Sequence, residues 1–217
     1  MNRRDFCGCV AATGGLAAAA SWSPAALAQG GPVEGVQYVK LQQPVAVPAG
    51  GKIDLVEFFS YACPHCNAFE PVLEPWVKKL PADVAFRRIP VPFVGNDTEV
   101  KQRLYYTLEA MGKVDAFQMK LFQAIHQQRQ PLFGDAAILA WAEKQPGLDG
   151  KKFADLFKSF SVAGKAKRAT QLTSDYQVAG VPALGVAGRW YVDGDTAGSL
   201  DRALEVVGLL VAEARKG

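Results

Sequence analysis

The sequence lacks the features typical of nucleic-acid-binding, metal-binding and integral membrane proteins. Lys and Arg number 24 against 21 Asp and Glu, and the small positive excess forms no basic run, so nothing favours nucleic acid or a membrane surface as a partner. Two histidines and four cysteines leave few side chains for a transition-metal site. Outside the N-terminal stretch no long apolar run is free of charge, so an integral membrane protein is not expected.

The rest of the composition is that of an ordinary globular protein. The chain has 217 residues, of which 49% are hydrophobic and 21% are charged. A chain of this size can bury a core that needs no disulfide or metal to hold it. The length predicts one domain, with room for an insertion.

Residues 1–28 have the pattern of an export signal. Arg3 and Arg4 form a charged start, an apolar run rich in Ala and Gly follows, and Ala26-Leu27-Ala28 is an A-x-A cleavage site. The adjacent arginines favour the twin-arginine route, and a Sec signal stays open as the alternative. We therefore predict a periplasmic protein that is cleaved after Ala28 and keeps two of its four cysteines.

Hydrophobic spacing predicts a small sheet interrupted by helices. Two buried strands on either side of a helix predict a parallel βαβ unit, and Pro71 inside that helix predicts a kink or break. A long segment with only helical spacing precedes an antiparallel hairpin. The predicted elements, in chain order, are an edge strand at 36–41, a strand at 53–59, a helix that opens at Cys63, a strand at 84–90, helices within 97–176, a hairpin of 181–186 and 189–192, and a last helix capped by Ser199.

Cys63 and Cys66 stand one helical turn apart at a predicted helix start. A disulfide across two residues closes too small a loop to stabilise a fold, so a structural purpose is not expected. At this position the Cys63 thiolate faces unpaired N–H groups and the positive end of the helix dipole, which lower its pKa. His65 adds a donor and positive charge, and Pro64 suits the first turn because it has no N–H to satisfy. A stabilised thiolate favours the reduced form, so the disulfide of this pair should be a strong oxidant.

Metal binding is the competing interpretation of the two cysteines. Structural zinc needs a second pair of ligands, and beyond the cysteines the chain offers only His65 and His126. The haem-attachment motif is absent because Asn67 follows Cys66. We expect no metal and no cofactor, and we interpret His126 as an ordinary surface or interface residue.

Three features of the chain together resemble the DsbA family of thiol:disulfide oxidoreductases, within the thioredoxin superfamily. The resemblance covers essentially the whole chain after the export signal. It implies an α/β, thioredoxin-like fold with an all-helical insertion domain at 97–176, the thioredoxin-like domain being 29–96 with 177–217. The matching features are Leu55-Val56-Glu57-Phe58-Phe59-Ser60 ahead of Cys63-Pro64-His65-Cys66, the helical insertion, and Gly180-Val181-Pro182-Ala183 ahead of the hairpin.

The resemblance also implies roles for residues outside the cysteine motif. Pro182 matches the family's cis-proline beside the disulfide, and the backbone of Val181 would pair with a bound peptide; a trans proline at the start of a strand is the alternative. Glu57 would be a buried acid that assists proton transfer to and from Cys66, and because it is a carboxyl among apolar residues it would titrate high. The alternative places Glu57 at the polar edge of its strand.

Two further charged positions match the family less closely. Glu70 falls where the family carries a second acid. Arg88 stands where the family often has a lysine, and a guanidinium does not give up its proton. The expected role of Arg88 is therefore limited to pairing with Glu57 or Glu70.

Three functions compete for this arrangement. The first is an oxidase that donates the Cys63–Cys66 disulfide, through a mixed disulfide, to folding exported proteins with free thiols, and that a DsbB-type, quinone-linked inner-membrane partner reoxidises. The second is a periplasmic reductase or isomerase of the same fold, and the third is a non-enzymatic metal- or peptide-binding module. We favour the oxidase, acting as a monomer. Six apolar residues of the helical part are expected in the core more than in a peptide groove: Phe93, Met111, Phe117, Met119, Leu121 and Phe122.

Overall fold

The structure is a computed structural model and describes residues 31–48 and 50–217, so the predicted export signal lies outside the described residues. Within them no helix is long and apolar enough to cross a membrane. The elements are β1 (Val39–Lys40), β2 (Ile53–Phe59), α1 (Pro64–Val77), β3 (Val84–Pro90), α2 (Thr98–Ala110), α3 (Val114–Phe122) continued by a π-helical segment (Gln123–Gln127), α4 (Gly134–Glu143), α5 (Gly150–Phe157), α6 (Phe160–Asp175), β4 (Ala183–Val186), β5 (Trp190–Asp193), α7 (Gly194–Ala197) and α8 (Leu200–Ala214).

Strand β2 lies inside a mixed sheet whose order is β1-β5-β4-β2-β3. It is parallel to β3 and antiparallel to β4, and it brings Glu57 opposite both Arg88 and Leu184. Both faces of β2 are covered, which explains why its sequence is almost continuously apolar. The predicted strands at 53–59 and 84–90 and the βαβ unit are confirmed.

Helix α1 runs from Pro64 to Val77 without the break predicted at Pro71. Pro71 and Pro75 both lie on the exposed side of the helix. There, each proline removes a hydrogen bond whose carbonyl partner can turn to solvent instead. The buried side of α1 carries Cys66, Phe69, Glu70 and Leu73.

The helices between β3 and β4 share their core with the sheet. One hydrophobic cluster joins Val56 and Phe58 of β2 to Leu104 of α2 and Phe122 of α3. A second cluster fills the space between the sheet and the helices α1 and α8, with Leu55 and Val207 among its members. The helical insertion therefore packs directly against the strand that leads into the cysteine motif.

The β4–β5 hairpin closes the sheet, and α8 follows it as predicted. Three residues join the strands, and the first two, Ala187 and Gly188, both have positive φ, as the centre of the tight turn that the Arg189 N–H closes onto the Val186 carbonyl. Ser199 caps α8 by accepting a hydrogen bond from the Arg202 N–H at 3.1 Å. Tyr176, at the end of α6, lies over Gly185 of β4 and accepts a hydrogen bond from the Gly188 N–H at 3.1 Å.

Substituting Gly185 by alanine tests this packing. The new Cβ would lie 2.4 Å from Cε1 of Tyr176, so the ring or the strand has to move. Overpacking of this kind costs about 1–3 kcal/mol, and urea unfolding of Gly185→Ala should show a loss of that size. Gly164→Ala is the matched control, because no atom lies within 4 Å of its Cβ position on α6. The control should be unchanged or more stable by up to about 1 kcal/mol, and equal stability of the two variants would contradict the packing described.

Candidate active site

The cysteine motif begins where β2 turns into α1. Cys63 is the N-cap of α1, and Pro64 is the first helical residue, as predicted. The turn is fixed by Ser60, whose Oγ accepts a hydrogen bond from the Ala62 N–H at 3.1 Å and whose carbonyl accepts one from the Cys63 N–H at 3.0 Å. Both cysteines are free thiols. Cys63 is 4% exposed and Cys66 is fully buried, so Cys63 is the one that a second thiol can approach.

Hydrogen bonds to the Cys63 sulfur stabilise its thiolate. The largest contribution comes from the Cys66 thiol, and the main-chain N–H groups of Cys66 and His65 and the charge of His65 add to it. Together they outweigh partial burial and lower the pKa of Cys63 to about 6. The N–H groups and His65 were predicted from the helix start, whereas the hydrogen bond from Cys66 was not.

Cys66 has the opposite environment. Burial raises the pKa of its thiol far above the ordinary range, and the hydrogen bond that it gives to Cys63 and the charge of Glu57 raise it further. The two sulfurs, one helical turn apart, therefore differ in protonation: near neutral pH Cys63 is ionised and Cys66 remains a thiol. Thiolate attack by this motif therefore begins at Cys63.

The segment before β4 covers the Cys63 sulfur. Sγ of Cys63 lies 3.4 Å from the carbonyl oxygen of Val181, to which it donates a hydrogen bond when it is protonated. The Val181–Pro182 peptide bond is cis, so the trans alternative is wrong. Val181 keeps part of its surface exposed, whereas Pro182 is buried.

A buried charged cluster lies on the α1 side of β2. Arg88 donates from Nε to Oε2 of Glu57 at 2.9 Å and from Nη2 to Oε1 of Glu70 at 2.5 Å. Glu57 is 0% exposed in an inner strand, so the alternative of a polar edge position is wrong. Burial raises the pKa of Glu57, the Glu70 charge raises it further, and Arg88 opposes both. Arg88 pairs with both acids rather than with one of them.

A cavity of about 240 Å³ opens beside the cysteine motif. His65 borders it on one side and Val181 and Pro182 on another. It is also lined by residues that the sequence analysis did not single out, namely Asp193, Asp195 and Leu200. The helical residues weighed as a groove lie elsewhere: Phe117, Leu121 and Phe122 are buried in the core, as predicted.

The helical insertion contacts the segment before Cys63 through His126, to which the sequence analysis gave no role, and through Gln118, which it did not single out. Nε2 of His126 lies 2.9 Å from the carbonyl oxygen of Tyr61, and the ring stacks on Phe122. His126 is half-buried and, of the two alternatives given for it, is the interface residue, because it binds the backbone two residues before Cys63. Gln118 accepts a hydrogen bond from the Tyr61 hydroxyl at 2.7 Å. Neither contact has a local sequence signal, since each joins residues more than fifty positions apart.

No group of three or more His, Cys, Asp and Glu side chains that could hold a metal ion occurs within residues 31–48 and 50–217.

The sequence is similar to that of known thiol:disulfide interchange proteins. Residues 54–205 match the family model of the DSBA-like thioredoxin domain. The thiol:disulfide interchange protein DsbA of Bordetella parapertussis is 40% identical over 206 residues, which are 94% of this chain and 95% of the relative. The protein of the same name from Pseudomonas aeruginosa PAO1 is 38% identical over 181 residues, which are 83% of this chain and 85% of the relative.

Solved structures agree with the sequence comparison. The crystal structure of Pseudomonas aeruginosa DsbA superposes with a TM-score of 0.78 at 38% identity, covering 84% of this chain and 94% of that one. The oxidoreductase DsbA from Xylella fastidiosa gives a TM-score of 0.78 at 27% identity, covering 86% and 99%. The thioredoxin-like fold expected from the sequence is confirmed.

The pKa of Cys63 gives a direct prediction. The thiolate absorbs near 240 nm, and the reduced protein should gain this absorbance with a midpoint near pH 6, the thiolate being the form present above it. Cys66→Ala removes the largest cause of the low pKa and should move the midpoint up, toward the ordinary value of about 8.5.

Two further variants complete this titration. Cys66→Ser keeps a donor beside Cys63 and should give a smaller rise than Cys66→Ala. Cys63→Ser should lose the step near pH 6 altogether. A Cys66→Ala midpoint that stays near pH 6 would show that the helix start alone sets the pKa of Cys63.

Proposed function

This chain belongs to the DsbA-like thioredoxin family and is a thiol:disulfide oxidoreductase, and from that premise we propose that it works as an oxidase, donating a Cys63–Cys66 disulfide to exported proteins with free thiols. The difference in pKa between the Cys63 and Cys66 thiols is the observation from which we infer the direction of disulfide exchange. Cys63, with a pKa of about 6, is about nine-tenths ionised at pH 7. A stable Cys63 thiolate favours the reduced protein, which makes the disulfide form give up its bond readily.

The proposed reaction has two exchange steps. A substrate thiolate attacks Sγ of Cys63, the Cys63–Cys66 bond breaks, and Cys66 leaves as a thiolate that takes up a proton. A second substrate thiolate then attacks the substrate sulfur of the mixed disulfide, and Cys63 leaves as a thiolate. The substrate loses two electrons, which the two cysteines retain as a dithiol.

Glu57 is the acid that we assign to the first step. It is buried on β2, and its charge, when it is ionised, adds to burial, the hydrogen bond to Cys63 and the Cys63 charge in raising the pKa of the Cys66 thiol. With its own pKa raised by burial, Glu57 holds a proton at a pH where an exposed carboxyl does not. It can therefore protonate Cys66 as that sulfur leaves.

We assign substrate binding to the segment that covers Cys63. The Val181 carbonyl already lies at hydrogen-bonding distance from the Cys63 sulfur, so a peptide that reaches this sulfur also reaches the Val181 backbone. An extended peptide can pair with such a main-chain segment next to a strand. The neighbouring cavity, with His65 on its border, offers space for a side chain of the bound peptide.

The proposal includes a compartment and a second partner. A protein that gives away its disulfide needs an oxidant, and a DsbB-type, quinone-linked membrane protein would accept the two electrons. The predicted export signal with cleavage after Ala28 places the exchange in the periplasm, where disulfides persist. We propose a monomer, since the chemistry described uses one chain, and family membership decides against a non-enzymatic binding module.

The reduction potential tests the direction of exchange. The protein without residues 1–28 is equilibrated with glutathione redox buffers, and its thiols are counted by alkylation and gel shift. We expect a potential well above the about −270 mV of thioredoxin, because the Cys63 thiolate stabilises the reduced form. A thioredoxin-like potential would place the protein on the reducing side and support the reductase or isomerase alternative.

Trapping of the mixed disulfide tests the order of the steps. Cys66→Ala should accumulate a covalent adduct with an unfolded protein whose cysteines have been converted to mixed disulfides with thionitrobenzoate: the Cys63 thiolate attacks the protein sulfur, thionitrobenzoate leaves, and excess reductant cleaves the adduct. Cys63→Ala is the matched control and should form none, because the remaining Cys66 is buried and held as a thiol. Adducts of equal yield in the two variants would contradict the assignment of Cys63 as the sulfur that forms the mixed disulfide.

A further inference from the structure

A chain of hydrogen bonds links the helical insertion to the buried acids. The Tyr61 hydroxyl donates to Oε1 of Gln118 at 2.7 Å, and Nε2 of Gln118 donates to Oε2 of Glu70 at 3.2 Å. Gln118 lies on α3 and is 3% exposed, so both of its contacts are shielded from water. This glutamine has no part in the exchange steps described above.

The cluster that Gln118 joins carries an uncompensated charge. Glu57 and Glu70 share the single guanidinium of Arg88, and all three side chains are buried. With both acids ionised the cluster has a net negative charge, which burial disfavours. One proton on the pair removes that charge, and the question is which carboxyl holds it.

Hydrogen bonds distinguish the two carboxyls. Glu70 accepts at both oxygens, from Arg88 at Oε1 and from Gln118 at Oε2. Glu57 accepts only at Oε2, and its buried Oε1 has no hydrogen-bond partner. Donors stabilise the ionised form of a carboxyl, so the ionised member is Glu70 and the protonated member is Glu57.

Tyr61 fixes the orientation of the Gln118 amide. Burial raises the pKa of the Tyr61 hydroxyl well above its ordinary value, so this group stays protonated and donates. The amide oxygen of Gln118 therefore faces Tyr61, and its NH₂ group faces Glu70. The remaining titratable groups around the cluster are Tyr105 on α2, whose pKa burial also raises, and Cys66 and Glu74 on α1.

We propose that Gln118 is a positioning residue: by holding Glu70 ionised, it leaves the proton of the buried pair on Glu57, the carboxyl that serves Cys66. The inference rests on the proposed role of Glu57 and goes beyond it, because it places control of that proton in the helical insertion. Gln118 touches neither the sulfurs nor the substrate, and it acts only through Glu70.

Carboxyl titration by NMR tests the proposal on the whole protein. With ¹³C-labelled glutamate side chains, the pH dependence of the Glu57 and Glu70 carboxyl signals is followed in the reduced protein. Gln118→Leu keeps the approximate volume and removes the donor, so the pKa of Glu70 should rise and that of Glu57 should fall, each by about one unit. The pH profile of disulfide reduction should move in the same direction as the Glu57 titration.

Two variants separate positioning from a general effect of the substitution. Gln102→Leu is the matched control, because Gln102 is another buried glutamine of the insertion and donates to Pro90 and Thr170 instead of to an acid. This variant should leave the pKa values of Glu57 and Glu70 unchanged. Tyr61→Phe keeps Gln118 and removes the group that orients it, so it should shift both carboxyls in the same direction as Gln118→Leu but by less.

The outcomes also separate this proposal from the proposed function. Unshifted carboxyls in Gln118→Leu, or equal shifts in Gln118→Leu and Gln102→Leu, would overturn the role of Gln118. The carboxyl titration does not depend on enzymatic turnover. A thioredoxin-like reduction potential would therefore contradict the proposed oxidase function without affecting the test of Gln118. If Gln118→Leu does not fold, an absence of any shift in Tyr61→Phe would overturn the proposal.

Discussion

The main-chain N–H groups at the start of α1 have no carbonyl partners within the helix, and the fold directs two of them at the Cys63 sulfur. That interaction depends on where the helix begins, which the Ser60 turn and Pro64 together fix. Once the start is fixed, the spacing of a helix puts Cys66 and Glu70 on its buried side. The reactive sulfur, its protected partner and one acid of the charged cluster are thus consequences of a single helix start.

The second constraint is charge inside a sheet. Glu57 lies on β2, between β3 and β4, where a lone carboxylate would be costly, and Arg88 in register on β3 compensates it only in part. Buried ion pairs of this kind seldom stabilise a fold more than apolar residues would. In the mechanism that we propose their value is chemical, because incomplete compensation keeps a proton on Glu57 for Cys66 and shielded from solvent.

Much of this structure could be predicted from sequence patterns of neighbouring residues. The strands 53–59 and 84–90, the helix start at Cys63 and the Ser199 cap were predictable because each depends on neighbouring residues. Apolar neighbours also placed Glu57 within a buried strand. Of the kink or break predicted at Pro71, the break does not occur, because the rule that proline ends a helix assumes that the freed carbonyl has no other partner, and on an exposed face it has solvent. The contacts of Gln118 and His126 could not be predicted, since periodicity shows which face of a helix is buried but not what it meets across the fold.

The sulfur of Cys63 and the carbonyl that covers it lie 118 positions apart in the chain. During synthesis, the unit β2–α1–β3 emerges with its cysteines long before the hairpin that completes the sheet, and long-range pairings of this kind form late and slowly. Until β4 docks beside β2, the two thiols have neither their cover nor their finished electrostatic surroundings. On the Sec route, which delivers unfolded chains, each new copy would reach the periplasm as an unfolded protein with free thiols, the class of substrate that we propose its older copies oxidise; on the twin-arginine route, which carries folded proteins, this stage would pass before export.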